Sequence, residues 1–113
     1  MTARQTSSYA WEVMNQIEQV PSQEWESWAE DNDAVVLDVR KPEEWDQGTL
    51  PQATRISITE IMDRIDEIPK DRAILCVCRS GGRSQQVATY LAFNGYSDVA
   101  NLTGGMHGLG LQD

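Results

Sequence analysis

The sequence predicts a single α/β domain built on a mostly parallel central sheet with helices on both faces. Three observations favour this fold class. The chain has 113 residues, the usual length of one domain. Strand-like apolar runs alternate with segments of helical periodicity, which is typical of β-α-β units. Two of these runs, 34–39 and 73–77, are almost entirely apolar, as expected of strands that are covered on both faces.

The composition excludes some classes of protein and makes some classes of binding partner unfavourable. With 40% hydrophobic and 24% charged residues, the chain is not intrinsically disordered. It carries 18 acidic and 9 basic residues, and this net charge of -9 opposes nonspecific binding to nucleic acids or anionic membranes. The N-terminus leads into no apolar stretch of signal-peptide or membrane-span length, and the two cysteines are too close for a long-loop disulfide. We therefore expect a cytoplasmic protein with no nucleic-acid or membrane partner.

The N-terminal segment is predicted to lie outside the folded domain. Residues 1–16 form a polar tail in which 9–16 allow a short helix, with Val13 and Ile17 on one face. The domain itself is predicted to cover 17–113.

The first half of the domain alternates short strands with helices. A strand at 17–20 leads into a helix at 22–32, with Ser22 as its N-cap. The apolar stripe of this helix consists of Trp25, Trp28 and Ala29. The apolar strand 34–39 follows, and Asp38 is its polar exception.

The remaining elements continue the alternation. A helical turn is predicted at 42–47, a strand at 54–56 and an amphipathic helix at 58–69. The apolar residues at helical spacing in that last segment are Ile58, Ile61, Met62, Ile65 and Ile68. After the strand 73–77, the final predicted elements are a helix at 84–94, closed by Gly95, and a strand at 99–102.

The segment 78–84 carries the clearest chemical signal. It leaves the carboxyl end of the buried strand 73–77 and enters a helix, which is where α/β sheets bind ligands. Gly81 and Gly82 let the loop turn its backbone N–H groups inward, and the helix N-terminus adds partial positive charge. The loop is therefore predicted to form a cradle for an anion.

Cys78 lies at the start of this loop, with Arg79 and Arg83 nearby and no acidic residue within the segment. Such surroundings stabilise a thiolate, so its pKa should fall below the value of about 8.5 for a free cysteine. Cys78 is the predicted nucleophile. A buried cysteine beside an ordinary turn would explain neither the two glycines nor the two arginines.

At this point the sequence resembles the rhodanese-like sulfurtransferase family, whose active-site loop has the pattern Cys-x-x-Gly-x-Arg. Cys78, Gly81 and Arg83 match it in register. The resemblance covers about residues 17–109. It includes Leu37-Asp38-Val39-Arg40, Pro42-Glu43-Glu44-Trp45, part of Gly48-Thr49-Leu50-Pro51-Gln52-Ala53, and Asn101-Leu102-Thr103-Gly104-Gly105.

The resemblance implies a mechanism and a set of site residues. The Cys78 thiolate attacks the outer sulfur of thiosulfate or a similar small anionic donor and carries the sulfur as a persulfide. Cyanide, a small thiol or the thiol of an acceptor protein then removes it, without a metal or an organic cofactor. The implied substrate-binding residues are Arg79, Ser80, Gly81, Gly82, Arg83 and Ser84, and those that support the site are Asp38, Arg40 and Glu44.

Three other functions use the same fold. An arsenate reductase or phosphatase would place a tetrahedral oxyanion on the Cys78 loop, but related phosphatases have a loop one residue longer and a His where Val77 stands. A redox sensor would pair Cys76 reversibly with Cys78. A noncatalytic binding module would typically have lost Cys78. We expect Cys76 to be a buried small hydrophobic residue and His107 a surface residue.

Overall fold

The structure, a computed structural model, describes residues 12–110. Five strands form one sheet in the order β1-β5-β4-β2-β3, and every neighbouring pair is parallel. The strands are β1 (Glu18–Val20), β2 (Val35–Asp38), β3 (Thr54–Arg55), β4 (Ile74–Val77) and β5 (Val99–Leu102). All five predicted strands are present, and the predicted fold class is confirmed.

Within residues 18–110, four α-helices and four short 3-10 helices accompany the strands. The α-helices are α1 (Trp25–Asn32), α2 (Pro42–Trp45), α3 (Ile61–Arg64) and α4 (Gly82–Phe93). The 3-10 helices are Ser22–Glu24, Ile58–Glu60, Ile65–Glu67 and His107–Leu109. Among residues 12–110, no helix has the length and apolar character needed to cross a bilayer.

Side chains that alternate along the strands produce one core on each face of the sheet. On β4, Ile74 and Cys76 pack on the face that α4 covers, whereas Leu75 and Val77 pack on the opposite face with α1. Val36 and Leu37 of β2 divide in the same way. Because both faces are covered, the strands contain few polar residues, which is the pattern that predicted them.

The helical turn predicted at 42–47 ends at Trp45, and the ends of two other predicted helices also differ from the structure. The helix predicted at 84–94 begins two residues earlier, at Gly82. Residues 12–15 are helical, and the rest of the short helix predicted at 9–16 lies partly outside the described residues. The boundary between tail and domain at residue 16 stays a prediction.

The prediction that Ser22 is the N-cap of one helix over 22–32 is wrong. Pro21 precedes a 3-10 turn at Ser22–Glu24, and α1 follows it. The Ser22 hydroxyl is buried and donates to the carbonyl oxygen of Gly105 at 2.9 Å. The side chain therefore joins the end of β1 to the chain after β5 instead of capping a helix.

The prediction of one continuous helix over 58–69 is also wrong. The segment consists of two 3-10 turns on either side of the single-turn helix α3. A 3-10 turn has three residues instead of 3.6, so the apolar positions rotate relative to a continuous helix. Ile61 and Ile68 remain in the core, but Met62 is 72% exposed.

Two neighbouring alanine substitutions test this local structure. Ile61→Ala should lower the free energy of unfolding by about 2–5 kcal/mol, because it removes a fully packed side chain. Met62→Ala should leave the urea midpoint close to the wild-type value, because that side chain is in solvent. Equal losses from the two variants would show that the segment is a continuous helix after all.

Candidate active site

Cys78 immediately follows β4, at the carboxyl edge of the sheet, and only 1% of it is exposed. The loop returns toward the sulfur at the start of α4. The N–H groups of Gly81 and Ser84 donate to Cys78 Sγ at 3.1 and 3.3 Å. The Ser84 hydroxyl oxygen lies 3.3 Å from the same sulfur. The sulfur is thus the focus of hydrogen-bonding groups that belong to its own loop and helix.

These contacts decide the charge state of the thiol. Burial of the sulfur acts to raise the pKa of Cys78, but the N–H groups of Ser84, Gly81 and Ser80, together with the Ser84 hydroxyl when its proton is turned from Asn101 to the sulfur, outweigh it. The net effect is a pKa below the ordinary value, because these donors stabilise the thiolate. A sulfur of this kind can act as a nucleophile near neutral pH.

Only one of the two loop glycines is required by the geometry. Gly81 has φ +104°, and a Cβ atom there would collide with the carbonyl oxygen of Thr103. Gly82 lies in the first turn of α4, and a Cβ atom there would meet nothing within 4 Å. The structure therefore requires glycine at position 81, where the loop passes against β5, and not at position 82.

The chain segment after β5 packs against the Cys78 loop and donates backbone hydrogen bonds to it. Met106 N–H donates to the Cys78 carbonyl at 2.9 Å, and His107 N–H donates to the Arg79 carbonyl at 2.8 Å. Gly105 has φ +58°, and a Cβ atom there would lie 2.5 Å from the Arg79 carbonyl oxygen. Two chain segments thus pack together with no room for a side chain between them.

The two arginines of the loop are in different situations. Arg83 forms a bidentate ion pair with Glu44, with distances of 2.6 and 2.9 Å between guanidinium nitrogens and carboxylate oxygens. Arg79 is exposed, as is Ser80, and within residues 12–110 no ion pair involves Arg79. The structure thus joins two residues that the sequence suggested for separate roles, Arg83 for substrate binding and Glu44 for support.

Asp38 and Arg40 form a buried pair at the end of β2. Arg40 Nη2 lies 2.7 Å from a carboxylate oxygen of Asp38, and the two side chains are 0% and 1% exposed. Arg40 also donates to the carbonyl oxygens of Glu44 and Gly48 at 3.3 and 2.6 Å. The pair therefore holds the segment that presents Glu44 to Arg83.

Cys76 has no access to solvent, and both cysteines are free thiols. Burial raises the pKa of Cys76, and a negative charge on Cys78 raises it further. Cys76 is therefore a neutral, buried thiol on the face of β4 that α4 covers. This is the small hydrophobic role that we expected. His107 is exposed, as expected.

Asn101 is a site residue that sequence reasoning did not single out. The Ser84 hydroxyl donates to Asn101 Oδ1 at 2.5 Å, and Asn101 Nδ2 donates to Gln19 Oε1 at 3.0 Å. The available signal was an amide side chain inside the otherwise apolar strand 99–102. A buried polar group of this kind needs hydrogen-bond partners, and here one partner also contacts the nucleophile.

A groove of about 640 Å³ lies away from this site. Its walls include Trp25 and Ala29 of α1, Val35 at the start of β2, and Pro51 and Arg72. None of its lining residues belongs to the Cys78 loop. Val35 and Thr54 of the groove lie at the amino ends of β2 and β3, so the reactive sulfur is at the opposite edge of the sheet.

The family model described as "Rhodanese-like domain" matches residues 22–111, most of the chain. The chain belongs to the rhodanese-like domain family. A curated relative named "Sulfurtransferase", from Allochromatium vinosum, is 43% identical over 86 residues, which cover 72% of this chain and 80% of that protein. "Thiosulfate sulfurtransferase GlpE" from Pseudomonas syringae pv. syringae is 32% identical over 92 residues, which cover 81% of this chain and 86% of that protein.

A solved structure of a rhodanese-like domain protein from Staphylococcus aureus has the same fold. It is 32% identical, with a TM-score of 0.74, over 81% of this chain and 90% of that one. The family and the names of these relatives support sulfurtransferase activity in general for this rhodanese-like domain.

Gly81→Ala and Gly82→Ala form a matched pair of variants of this rhodanese-like domain. In Gly81→Ala the loop must move away from Thr103, so the N–H groups lose their alignment with the sulfur. Alkylation of Cys78 at neutral pH should then slow by roughly tenfold, since a hydrogen bond to a charged group is worth about 1.5–3 kcal/mol. Gly82→Ala should react like wild type. Equal rates in folded samples of both variants would contradict the geometry described for the loop.

The Asp38–Arg40 pair makes a prediction for stability. Arg40→Met should lower the free energy of unfolding by about 3–5 kcal/mol, because it leaves the buried Asp38 carboxylate without its guanidinium partner and only with the backbone N–H of residue 40. Arg64→Met removes an exposed arginine that pairs with Glu60 and Glu67, and it should leave the urea midpoint almost unchanged. A similar small effect from both substitutions would show that Asp38 has another way to be satisfied.

Proposed function

We propose that the protein is a thiosulfate sulfurtransferase that transfers sulfane sulfur through a persulfide on Cys78. The donor is thiosulfate or a similar small anion, and the acceptor is cyanide, a small thiol or a protein thiol. The observation that carries the proposal is the position of Cys78 Sγ, buried at the focus of the N–H groups of Gly81 and Ser84.

In the first step, the Cys78 thiolate attacks the outer sulfur of thiosulfate. A new sulfur–sulfur bond forms on Cys78, and the sulfur–sulfur bond of the donor breaks. Sulfite leaves with the electron pair, so the persulfide keeps one negative charge. N–H groups that stabilise the thiolate are close enough to stabilise this anion as well, since the charge moves by only one bond.

In the second step, the acceptor attacks the outer sulfur of the persulfide. With cyanide, thiocyanate forms, and the bonding electrons return to Cys78 as a thiolate. The donors around the sulfur favour this leaving group because they lower its pKa. The same hydrogen bonds therefore assist both half-reactions.

The charges around the loop support an anionic donor. The protein as a whole has a net charge of -9, so a donor anion needs a local positive group. Arg79 is an exposed cation next to Cys78, whereas Glu44 already neutralises Arg83. We therefore assign the first contact with the donor to Arg79, and to Ser80 beside it.

Two observations favour sulfur transfer over the alternatives. The Arg83 guanidinium is engaged in a bidentate ion pair with Glu44, whereas a phosphatase or arsenate reductase would need it to bind a tetrahedral oxyanion. Cys76 is fully buried with a raised pKa, which is unfavourable for reversible pairing with Cys78 in a redox sensor. The cytoplasmic location and the absence of nucleic-acid and membrane partners stay predictions.

The test is the mass of the intact, reduced protein before and after thiosulfate, followed by cyanide. We expect a gain of one sulfur atom that cyanide reverses with release of thiocyanate. Cys78→Ser should abolish the gain, and Cys76→Ser should retain most of it. No adduct from thiosulfate or from mercaptopyruvate would overturn the proposal, and so would normal loading of both variants.

A further inference from the structure

Asn101 lies in the middle of the sheet and is linked to the nucleophile through the Ser84 hydroxyl. In the register of β5 it lies opposite Gln19 of β1 on one side and Cys76 of β4 on the other. It is 3% exposed, and its side chain extends toward α4, where it meets Ser84. A buried amide at this position links the surface residue Gln19 to the hydroxyl beside Cys78.

A backbone carbonyl sets the direction of the hydrogen bonds that run from Gln19 through Asn101 to Ser84. Gln19 Nε2 donates to the carbonyl of Ile17 at 3.3 Å, and a carbonyl can only accept. Gln19 must therefore present Oε1 to Asn101, so that Asn101 must present Nδ2 to Gln19. The remaining atom of the amide, Oδ1, then faces Ser84 and accepts its hydroxyl proton.

The backbone carbonyl of Gln85, in α4, independently requires the same donor and acceptor arrangement. The Thr89 hydroxyl donates to the carbonyl of Gln85 at 2.9 Å, which leaves its oxygen to accept from Gln85 Nε2. Gln85 Oε1 then accepts from Gln19 Nε2 at 2.8 Å. Both ends of the network thus require Asn101 to be an acceptor toward Ser84.

Ser84 has one hydroxyl proton and two neighbours that can accept it. Asn101 Oδ1 lies at 2.5 Å and Cys78 Sγ at 3.3 Å from the hydroxyl oxygen. While the proton points to Asn101, Ser84 can only accept from a Cys78 thiol. Donation to the thiolate would require the hydroxyl to turn and would leave a buried amide oxygen unsatisfied, which is costly.

We propose that Asn101 is a positioning residue that competes with the Cys78 thiolate for the hydroxyl proton of Ser84, with its acceptor orientation fixed by Gln19. Asn101 thereby limits how far the loop can stabilise the thiolate. This matters for sulfur transfer because a thiolate of lower pKa is a weaker nucleophile, and the best attacking thiol has a pKa near the ambient pH. Its functional meaning rests on the proposed role of Cys78 as sulfur carrier.

The other charged and titratable groups around Cys78 come from several elements, and the test variants replace none of them. Arg83 at the start of α4 is paired with Glu44 of α2, and its charge interacts with that of Cys78. The remaining groups are the Asp38–Arg40 pair, Cys76, Arg79 and His107. Their contributions therefore cancel when a variant is compared with wild type.

The experiment is the pH dependence of Cys78 alkylation by iodoacetamide, followed on the Cys78 peptide by mass spectrometry. Asn101→Leu should lower the pKa of Cys78 by about one unit, because the Ser84 proton becomes fully available to the thiolate. The limiting rate constant of the thiolate should fall about threefold, in line with its lower basicity. A structural role of Asn101 alone would disturb the loop and move the pKa upward.

Two further variants test whether the change in the pKa of Cys78 depends on the Ser84 hydroxyl and on Gln19. In a Ser84→Ala background, Asn101→Leu should leave the pKa of Cys78 unchanged. Gln19→Ala replaces an exposed residue and frees the Asn101 amide to turn its Nδ2 toward Ser84, so it should lower the pKa by a smaller amount. Gln86→Ala, an exposed control on the same helix, should have no effect.

The proposal is overturned if Asn101→Leu leaves the pKa of Cys78 unchanged or raises it, or if the shift persists without the Ser84 hydroxyl. If Asn101→Leu does not fold, Gln19→Ala decides, and a wild-type pKa in that variant is the contradicting result. Alkylation needs no sulfur donor. Failure of this proposal is therefore distinguishable from failure of the proposed sulfur transfer.

Discussion

The site depends on the close packing of two loops at the carboxyl edge of the sheet. The chain after β5 donates N–H groups to the carbonyls of Cys78 and Arg79, and Gly81 and Gly105 leave no room for a side chain between the loops. This packing turns the start of α4 back onto β4. The N–H groups that meet the sulfur are therefore positioned by backbone contacts between the two loops.

The charged side chains near the two loops pair mainly with one another, so the sulfur has few direct ionic partners. Glu44 neutralises Arg83, and the buried pair of Asp38 and Arg40 holds the segment that carries Glu44. The thiolate is thus stabilised mainly by the dipoles of the loop N–H groups. Fixed dipoles of this kind need no rearrangement when the charge moves from the thiolate to the outer sulfur of a persulfide.

The sequence predicted the features that depend on neighbouring residues. The strand at 34–39 is a continuous apolar run, and Cys78, Gly81 and Arg83 lie within one short segment. Contacts between distant residues were not predictable in this way. Nothing local indicates that the Ser22 hydroxyl donates to Gly105, because the choice of partner depends on how β1 and β5 pair.

The same limit applies to the helices and to the second layer of the site. The apolar spacing at 58–69 fits a continuous helix as well as consecutive short turns, and only packing against the sheet distinguishes them. The link from Asn101 to Ser84 joins two elements and has no pattern in the sequence of either. A polar residue within an apolar strand shows only that a partner must exist.

The central claim is that this loop holds Cys78 as a thiolate, and the ultraviolet thiolate absorbance during a pH titration of the folded protein tests it most directly. Below the pH range in which the tyrosines ionise, at about 10, the account predicts one step with a midpoint below the free-cysteine value of about 8.5, and this step is absent from Cys78→Ser and present in Cys76→Ser. A midpoint above that value, or a step that persists in Cys78→Ser, would contradict the account.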